Sequence, residues 1–389
     1  MKKSNFLFFL FFSSISLLDA QEHYLSTIKE NILQYSYNKA KQDSNKLEKD
    51  WINPITYRYI YSNTEEYDTH RSNISISQPI FKSGGIYYAI KYAKSVNKQT
   101  KIGIDIQKKE LIKQTITLLF QIKKIDITIL KQKILIQNAK IDIERKKEQV
   151  LNGILDTSFL DKAILDANSK QNALIDLEYQ RSVYINNLST FSDKKYEELE
   201  LPALWLTQNK LYLEKNIYIQ KSKREIETSY LFKNMIRANY LATINLTADY
   251  TKYHDKDNNP ILLDENTNYG FNITIPLDIK YSNTTQSAKI EYLQKKALLQ
   301  DKKEEENVLY KNIYSKIQSL DKKINIAQND IILYDSLVTQ IKEQLEVGMK
   351  TKSDLETIQN SQKIKKLEIQ SLKVDKQIEL LQIYSRVTL

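Results

Sequence analysis

The sequence predicts a mainly α-helical fold with a membrane β portion: long antiparallel helices plus four strands per chain, arranged as a tandem internal repeat. Three observations predict it. The plan is written twice, since SNISISQPIF, the glycine pair Gly84 and Gly85, a long uninterrupted stretch and a turn at Gly153 are followed by YGFNITIPLDI, a second long stretch and a turn at Gly348. Pro276 follows Pro79 by 197 positions and Gly348 follows Gly153 by 195, the mark of an internal duplication. Punctuation is sparse, with six glycines and five prolines in 389 residues. No proline falls between Phe81 and Leu201, as very long helices require. Finally, four segments of about ten residues alternate apolar and polar side chains, the period of a strand.

In chain order, residues 1–20 read as a signal peptide: Lys2 and Lys3, the apolar run FLFFLFFSSISLL, then Asp19 and Ala20. Residues 21–200 form repeat 1 (helix, strand hairpin, long helix, tip turn, helix), and residues 201–389 form repeat 2 on the same plan. In repeat 1 a helix over Gln21–Ile52 ends at Asn53 and Pro54. Tyr57, Tyr59 and Tyr61 then alternate with polar residues, a loop spans Asn63–Arg71, and Ile74, Ile76 and Ile80 resume the pattern. In repeat 2, Ile244, Leu246, Ala248 and Tyr250 oppose Asn245, Thr247 and Asp249. After the loop HDKDNNPILLDENTN, Phe271, Ile273, Ile275 and Leu277 oppose Asn272, Thr274 and Asp278.

Strands of this length, near 54–82 and 240–280, suit a tilted membrane crossing. Packing on a soluble core is the alternative, but nearly everything else is amphipathic helix and leaves no core for four strands to cover. Tyr240, Tyr250, Tyr253 and Tyr269 gather near the strand ends like an interfacial girdle. Four strands cannot close a barrel, so other copies of the chain must complete it.

The long helices, expected over Gly85–Val150 and Ser282–Val347, each span roughly 100 Å at about 1.5 Å per residue. Ile313, Ile317, Leu320, Ile324 and Ala327 recur in steps of four and three, as do Leu118, Ile122, Ile125 and Ile129, the seam of helices packed at shallow angles. A second partial seam through Ile127, Leu130, Ile134 and Ile141 gives the first helix a neighbour on each side. Shorter helices over Gln21–Ile52, Ser158–Thr190, Leu213–Ala238 and Asp354–Thr388 pair off beside them. Helices with two neighbours can close into an α-barrel tunnel. Phe191–Tyr212, with Pro202 and Trp205, crosses between the repeats.

These residues resemble the TolC-like outer-membrane efflux proteins. The resemblance rests on the strand-to-helix passages ISISQPIFKSGG and FNITIPLDIKYSN, with Pro79, Gly84, Gly85 and Pro276 at the junctions. It rests also on the tip turns LNGILDTSFLD and EVGMKTKSDLE, with Gly153, Thr157, Gly348 and Thr351. It implies a homotrimer in the cell outer membrane, extending into the periplasm, that passively conducts substrates. The implied partners are a periplasmic adaptor (membrane fusion) protein and an inner-membrane transporter of a tripartite efflux or type I secretion system, with outer-membrane lipid around the barrel. By the same resemblance Asp354 stands where an acidic residue narrows the periplasmic gate, Lys350 where a basic residue pairs across protomers, and Thr357 where some members have a second acid. Asp354 suits a helix cap equally well.

No competing chemistry is visible, so neither an enzyme nor a cofactor is expected. Phosphate loops, HExxH and nucleophile motifs are absent. His23, His70 and His254 lack ligand spacing, which argues against a metal site. The net charge of +10 comes from lysines interleaved with acids, as in KKEEEN, which describes a solvated helix face and no nucleic-acid surface. The alternative function is an envelope coiled-coil structural or adaptor protein without a channel, which leaves the two hairpins unexplained.

Overall fold

The computed structural model describes residues 24–63, 68–255 and 264–388. The expected signal peptide, His23, Pro260 and the central parts of both hairpin loops lie outside the described residues. The elements are α1 (Thr27–Lys49), β1 (Thr56–Asn63), β2 (Asp68–Phe81), α2 (Gly85–Leu151), α3 (Thr157–Leu188), α4 (Asn209–Lys215), α5 (Ile217–Ala238), β3 (Thr243–Asp255), β4 (Glu265–Thr274), α6 (Tyr281–Glu346) and α7 (Lys352–Tyr384), with a 3-10 turn at Tyr196–Glu198. The chain divides into two compact units. A strand unit holds Leu33–Ile106 and Ile217–Glu305, and a helical unit holds the residues up to Ile32, Gln107–Asn216 and Glu306–Leu389.

In the strand unit the sheet order is β1-β2-β3-β4, antiparallel throughout. The register aligns Tyr57 with Ile74, Ile74 with Tyr250, and Leu246 with Phe271. Because side chains alternate, this gathers the apolar positions of all four strands on one face. The other face is polar and cross-linked: Asn73 Nδ2 donates to Asp249 at 2.7 Å and to Thr251 at 3.1 Å, and Asn245 donates to Asn272 at 2.9 Å. Strands β1 and β4 are edges.

Several details differ from the sequence expectation. Strand β4 ends at Thr274 and does not run on to Asp278, since Pro276 has no N–H to offer a ladder. Leu277 and Ile279 beyond it are 97% and 99% exposed. Strands β2 and β4 begin at Asp68 and Glu265, inside segments expected to be loops. Tyr253 falls on the opposite face from Tyr250, because odd and even positions of β3 alternate. Tyr240 lies outside the strands, with its ring edge-on to Tyr281 at 5.2 Å.

The helices of this unit lie in the order α1, α2, α5, α6. Ser44 Oγ donates to the Ala93 carbonyl at 3.3 Å, the Ser95 and Thr228 hydroxyls are 2.8 Å apart, and Lys295 pairs with Glu225 at 3.5 Å. The passage from β2 into α2 turns sharply, with Gly84 at φ +85° and Ser83 at +43°. At Gly85 a Cβ would sit 3.2 Å from the Ala238 Cβ, so glycine is what lets α2 and α5 approach there.

In the helical unit the order is α3, α2, α7, α6. Arg181 reaches Asp126 at 2.6 Å, Lys124 reaches Asp375 at 2.6 Å, and Lys376 reaches Asp321 at 2.7 Å. On α6 one stripe is buried, Ile313, Ile317, Leu320, Ile324 and Ala327. On α2 burial wraps further round, through Ile116, Leu119, Ile122, Ile125, Ile127 and Ile129. Each such side chain contributes roughly 1.5–3 kcal/mol. The crossing segment lies over α7 and α6, with Gln377 bonded to both the N–H (2.8 Å) and carbonyl (3.2 Å) of Leu204, and Tyr310 Oη donating to the Thr207 carbonyl at 2.7 Å.

The helix expected over Leu213–Ala238 is interrupted. Asn216 leaves helical geometry at ψ 122° and its backbone bridges to Val387. Its side chain donates to Glu306 at 2.9 Å, beside donations from Tyr212 (2.6 Å) and Arg386 (2.7 Å). A carboxylate only 3% exposed needs these donors, because a buried charge is tolerated only when paired and hydrogen-bonded. Burial, reinforced by the Glu306 charge, pushes the Tyr212 phenol well above its usual range.

Candidate functional site

The two turns joining α2 to α3 and α6 to α7 close with the same hydrogen bonds. At the first, Gly153 N–H donates to Val150 at 3.0 Å and Ile154 N–H to Gln149 at 2.8 Å. At the second, Gly348 N–H donates to Leu345 at 3.1 Å and Met349 N–H to Gln344 at 2.8 Å. Both are Schellman closures, which need a left-handed residue; Gly153 has φ +69° and Gly348 +76°. Nothing surrounds either glycine within 4 Å of an added Cβ, so backbone conformation alone selects it. Leu151, Ile154, Val347 and Met349 stand exposed around the turns.

The following helices are capped differently. Thr157 opens α3 behind Asp156, whose carboxylate accepts from Ser158 N–H at 2.8 Å. Thr351 caps α7 in a reciprocal box: its hydroxyl oxygen accepts from Asp354 N–H at 3.2 Å, while Asp354 Oδ2 accepts from Thr351 N–H at 3.1 Å and from its hydroxyl at 2.9 Å. Asp354 Oδ1 accepts from Arg145 Nη2 on α2 at 3.0 Å. Both carboxylate oxygens are therefore engaged within one chain. The Thr351 N–H, then its hydroxyl, then the charges of Arg145 and Lys350 hold this carboxyl below its ordinary range.

Of the other positions expected at the gate, Lys350 is exposed and adds positive potential near Asp354. Thr357 spends its hydroxyl on the Ser353 carbonyl at 2.7 Å, a bond internal to α7. Sequence reasoning missed Arg145, although it is the one arginine in the α2 sequence. It also missed the contacts above it, where Gln137 meets Glu356 and Asn360, buried in the α2–α7 interface, donates to Asn138 at 2.8 Å.

The junction residues lie in the strand unit. Pro79 sits where the β2–β3 register shifts, and Pro276 just past the end of β4. His70 and His254, taken in the sequence as isolated, meet on the apolar face of the sheet: His70 bonds Tyr59 at 3.0 Å, His254 bonds Ser72 at 2.8 Å, and the Tyr59 and His254 rings are 6.0 Å apart. Among the described residues no group of three acids or histidines is placed to hold a metal, and no helix is long and apolar enough to cross a membrane.

No protein-family model matches the chain, and no curated protein does. Solved structures do. The outer membrane protein VceC of Vibrio cholerae is 13% identical with a TM-score of 0.73, covering 95% of each chain. CusC, whose crystal structures concern folding and transmembrane channel formation, is 12% identical with a TM-score of 0.76 over 99% of this chain and 94% of its own. The Campylobacter jejuni CmeC outer membrane channel is 13% identical with a TM-score of 0.73 over 95% and 85%. At such identities the likeness is one of architecture, and it is nearly end to end: the chain has the TolC-like fold of outer-membrane channels.

Proposed function

We propose that the protein is an outer-membrane channel, a homotrimer whose strands complete a transmembrane β-barrel and whose helices form a periplasmic tunnel. It passively conducts substrates delivered by an inner-membrane transporter through a periplasmic adaptor. The observation that carries this reading is the state of the edges. Each unit is an open layer: β1 and β4 have unpaired sides, and α3 and α6 carry exposed apolar side chains. In the helical unit the ion pairs fix axial levels. Arg181 lies level with Asp126, its neighbour Lys124 with Asp375, and Lys376 with Asp321, which puts Tyr179 on one edge close to the height of Ile326 on the other. They are 72% and 62% exposed. Rotation about an axis parallel to the helices preserves height, so the two edges suit one another in a ring.

The repeats 21–200 and 201–389, each behind the same hairpin-to-helix junction, would supply equal shares of barrel and tunnel. The apolar side chains around Gly153 and Gly348 offer the adaptor a docking tip, and three copies of Asp354 would ring the mouth. An envelope coiled coil without a channel leaves the apolar face of the sheet with nothing to cover it. The reading is tested on detergent-extracted protein by light scattering and by conductance in planar bilayers. A trimer that forms pores is expected; a stable monomer would remove the channel reading.

A further inference from the structure

The crossing segment builds a cleft that the channel does not use. Over the helical unit, Leu204, Trp205 and Leu206 lie against α6 and α7 and border an open cleft of about 600 Å³, with Tyr314, Gln318 and Lys373 at its rim. Leu204 is buried and anchors the segment, whereas the Trp205 indole is 69% exposed. Across the cleft, Lys376 is neutralised by Asp321 at 2.7 Å. Lys373 and the Gln318 amide have no hydrogen-bond or ionic partner among the described residues. The rim thus presents an open aromatic face, a free amide and an uncompensated positive charge.

Part of the main chain of the segment is already engaged. Gln377 takes both polar groups of Leu204, the Tyr384 hydroxyl accepts from Trp205 N–H at 3.3 Å, and Tyr310 donates to the Thr207 carbonyl. Strand addition by an extended peptide needs free backbone donors and acceptors, and those of Leu204, the Trp205 N–H and the Thr207 carbonyl are taken. The groups that the cleft itself presents are the ring and the side-chain donors. An indole face stacks on the C–H face of a pyranose, an amide serves ring hydroxyls, and an ammonium group binds a carboxylate.

We propose that the Trp205 cleft binds a carboxylate-bearing glycan. Trp205 is the stacking platform, Gln318 the hydroxyl partner and Lys373 the counter-ion. This goes beyond conduction and does not depend on it, since the cleft is complete within one chain.

The sequence contains two tryptophans, Trp51 and Trp205, so Trp51→Phe leaves Trp205 as the only tryptophan. Its emission in the detergent-extracted protein is titrated with the disaccharide of N-acetylglucosamine and N-acetylmuramic acid, with the neutral chitobiose, and with triglutamate. The expected result is a saturable change with the acidic disaccharide, about tenfold weaker with chitobiose, absent with triglutamate and weakened about tenfold by Lys373→Gln. No change with either sugar overturns the proposal. An equal response to triglutamate overturns it in favour of an acidic peptide site. If the emission instead shifts only as copies associate, a neighbouring protomer fills the cleft and the proposal fails.

Discussion

Within the helical unit, α7 and α6 run side by side with similar composition, yet they leave different surfaces to water. Inner helix α7 exposes no large hydrophobic side chain, whereas edge helix α6 exposes Ile326, Ile332, Leu333 and Leu337, and the opposite edge α3 exposes Leu165, Ile175 and Tyr179. Inner helices have their apolar stripes covered from both sides by the same chain. Edge helices have a second stripe that the chain cannot reach. The comparison teaches that the unpaired surface follows position in the layer, and in the proposed trimer these edges are where another copy would meet it.

Substitutions can break or sharpen that contrast. The largest effect is expected from Leu119→Ala on α2, whose side chain is fully buried: a loss of about 2–5 kcal/mol in urea unfolding, whatever the oligomeric state. Ile326→Ala should cost under about 0.5 kcal/mol in dissociated protein, as surface changes do, and clearly more in the assembled protein. Equal costs in both states would dissolve the distinction between inner and edge helices.

The sheet permits the same test between its faces. Ile76 and Ser75 are adjacent on β2, pairing with Ala248 and Asp249. Ile76→Lys should cost about 2–4 kcal/mol of folding into lipid, while Ser75→Lys, beside Asp249 on the polar face, should be nearly neutral. If lysine were tolerated alike at both positions, the apolar face would not meet lipid.

A smaller effect is expected at Asp354. Asp354→Asn removes an acceptor from the capping box and the partner of Arg145, costing about 1–2 kcal/mol. Because its folded pKa is depressed, Asp354 stabilises the fold above the ordinary carboxylate value of about 4, and that contribution fades as pH falls through the lower folded value. Melting temperatures of wild type and variant should therefore converge in acid. In single-channel recordings, a ring of carboxylates predicts weaker divalent-cation block in the variant; unchanged block would leave Asp354 a cap and an ion-pair partner only. A modest effect is expected at the turns, where Gly153→Ala and Gly348→Ala should each cost about 1 kcal/mol for a left-handed residue with a Cβ. A large difference between them would show that the two turns are not equivalent.

The sequence by itself determined the architecture: long helices because proline is absent between Phe81 and Leu201, strands because apolar residues fall at every second position, and turns because Gly153 and Gly348 interrupt long stretches of helical periodicity. These are local properties, set by backbone freedom and by periodicity. What only the tertiary structure decided are the partnerships between distant segments. Arg145 meeting Asp354, Asn360 meeting Asn138, and Glu306 drawing Tyr212, Asn216 and Arg386 together all join residues at least 80 positions apart. The break at Asn216 belongs with them, because its side chain answers a buried carboxylate that no local pattern announces. So does the strap that holds Trp205 outward, whose place depends on which helices it crosses. Periodicity says which face of a helix is apolar; only packing says which neighbour covers it, and which face is left open.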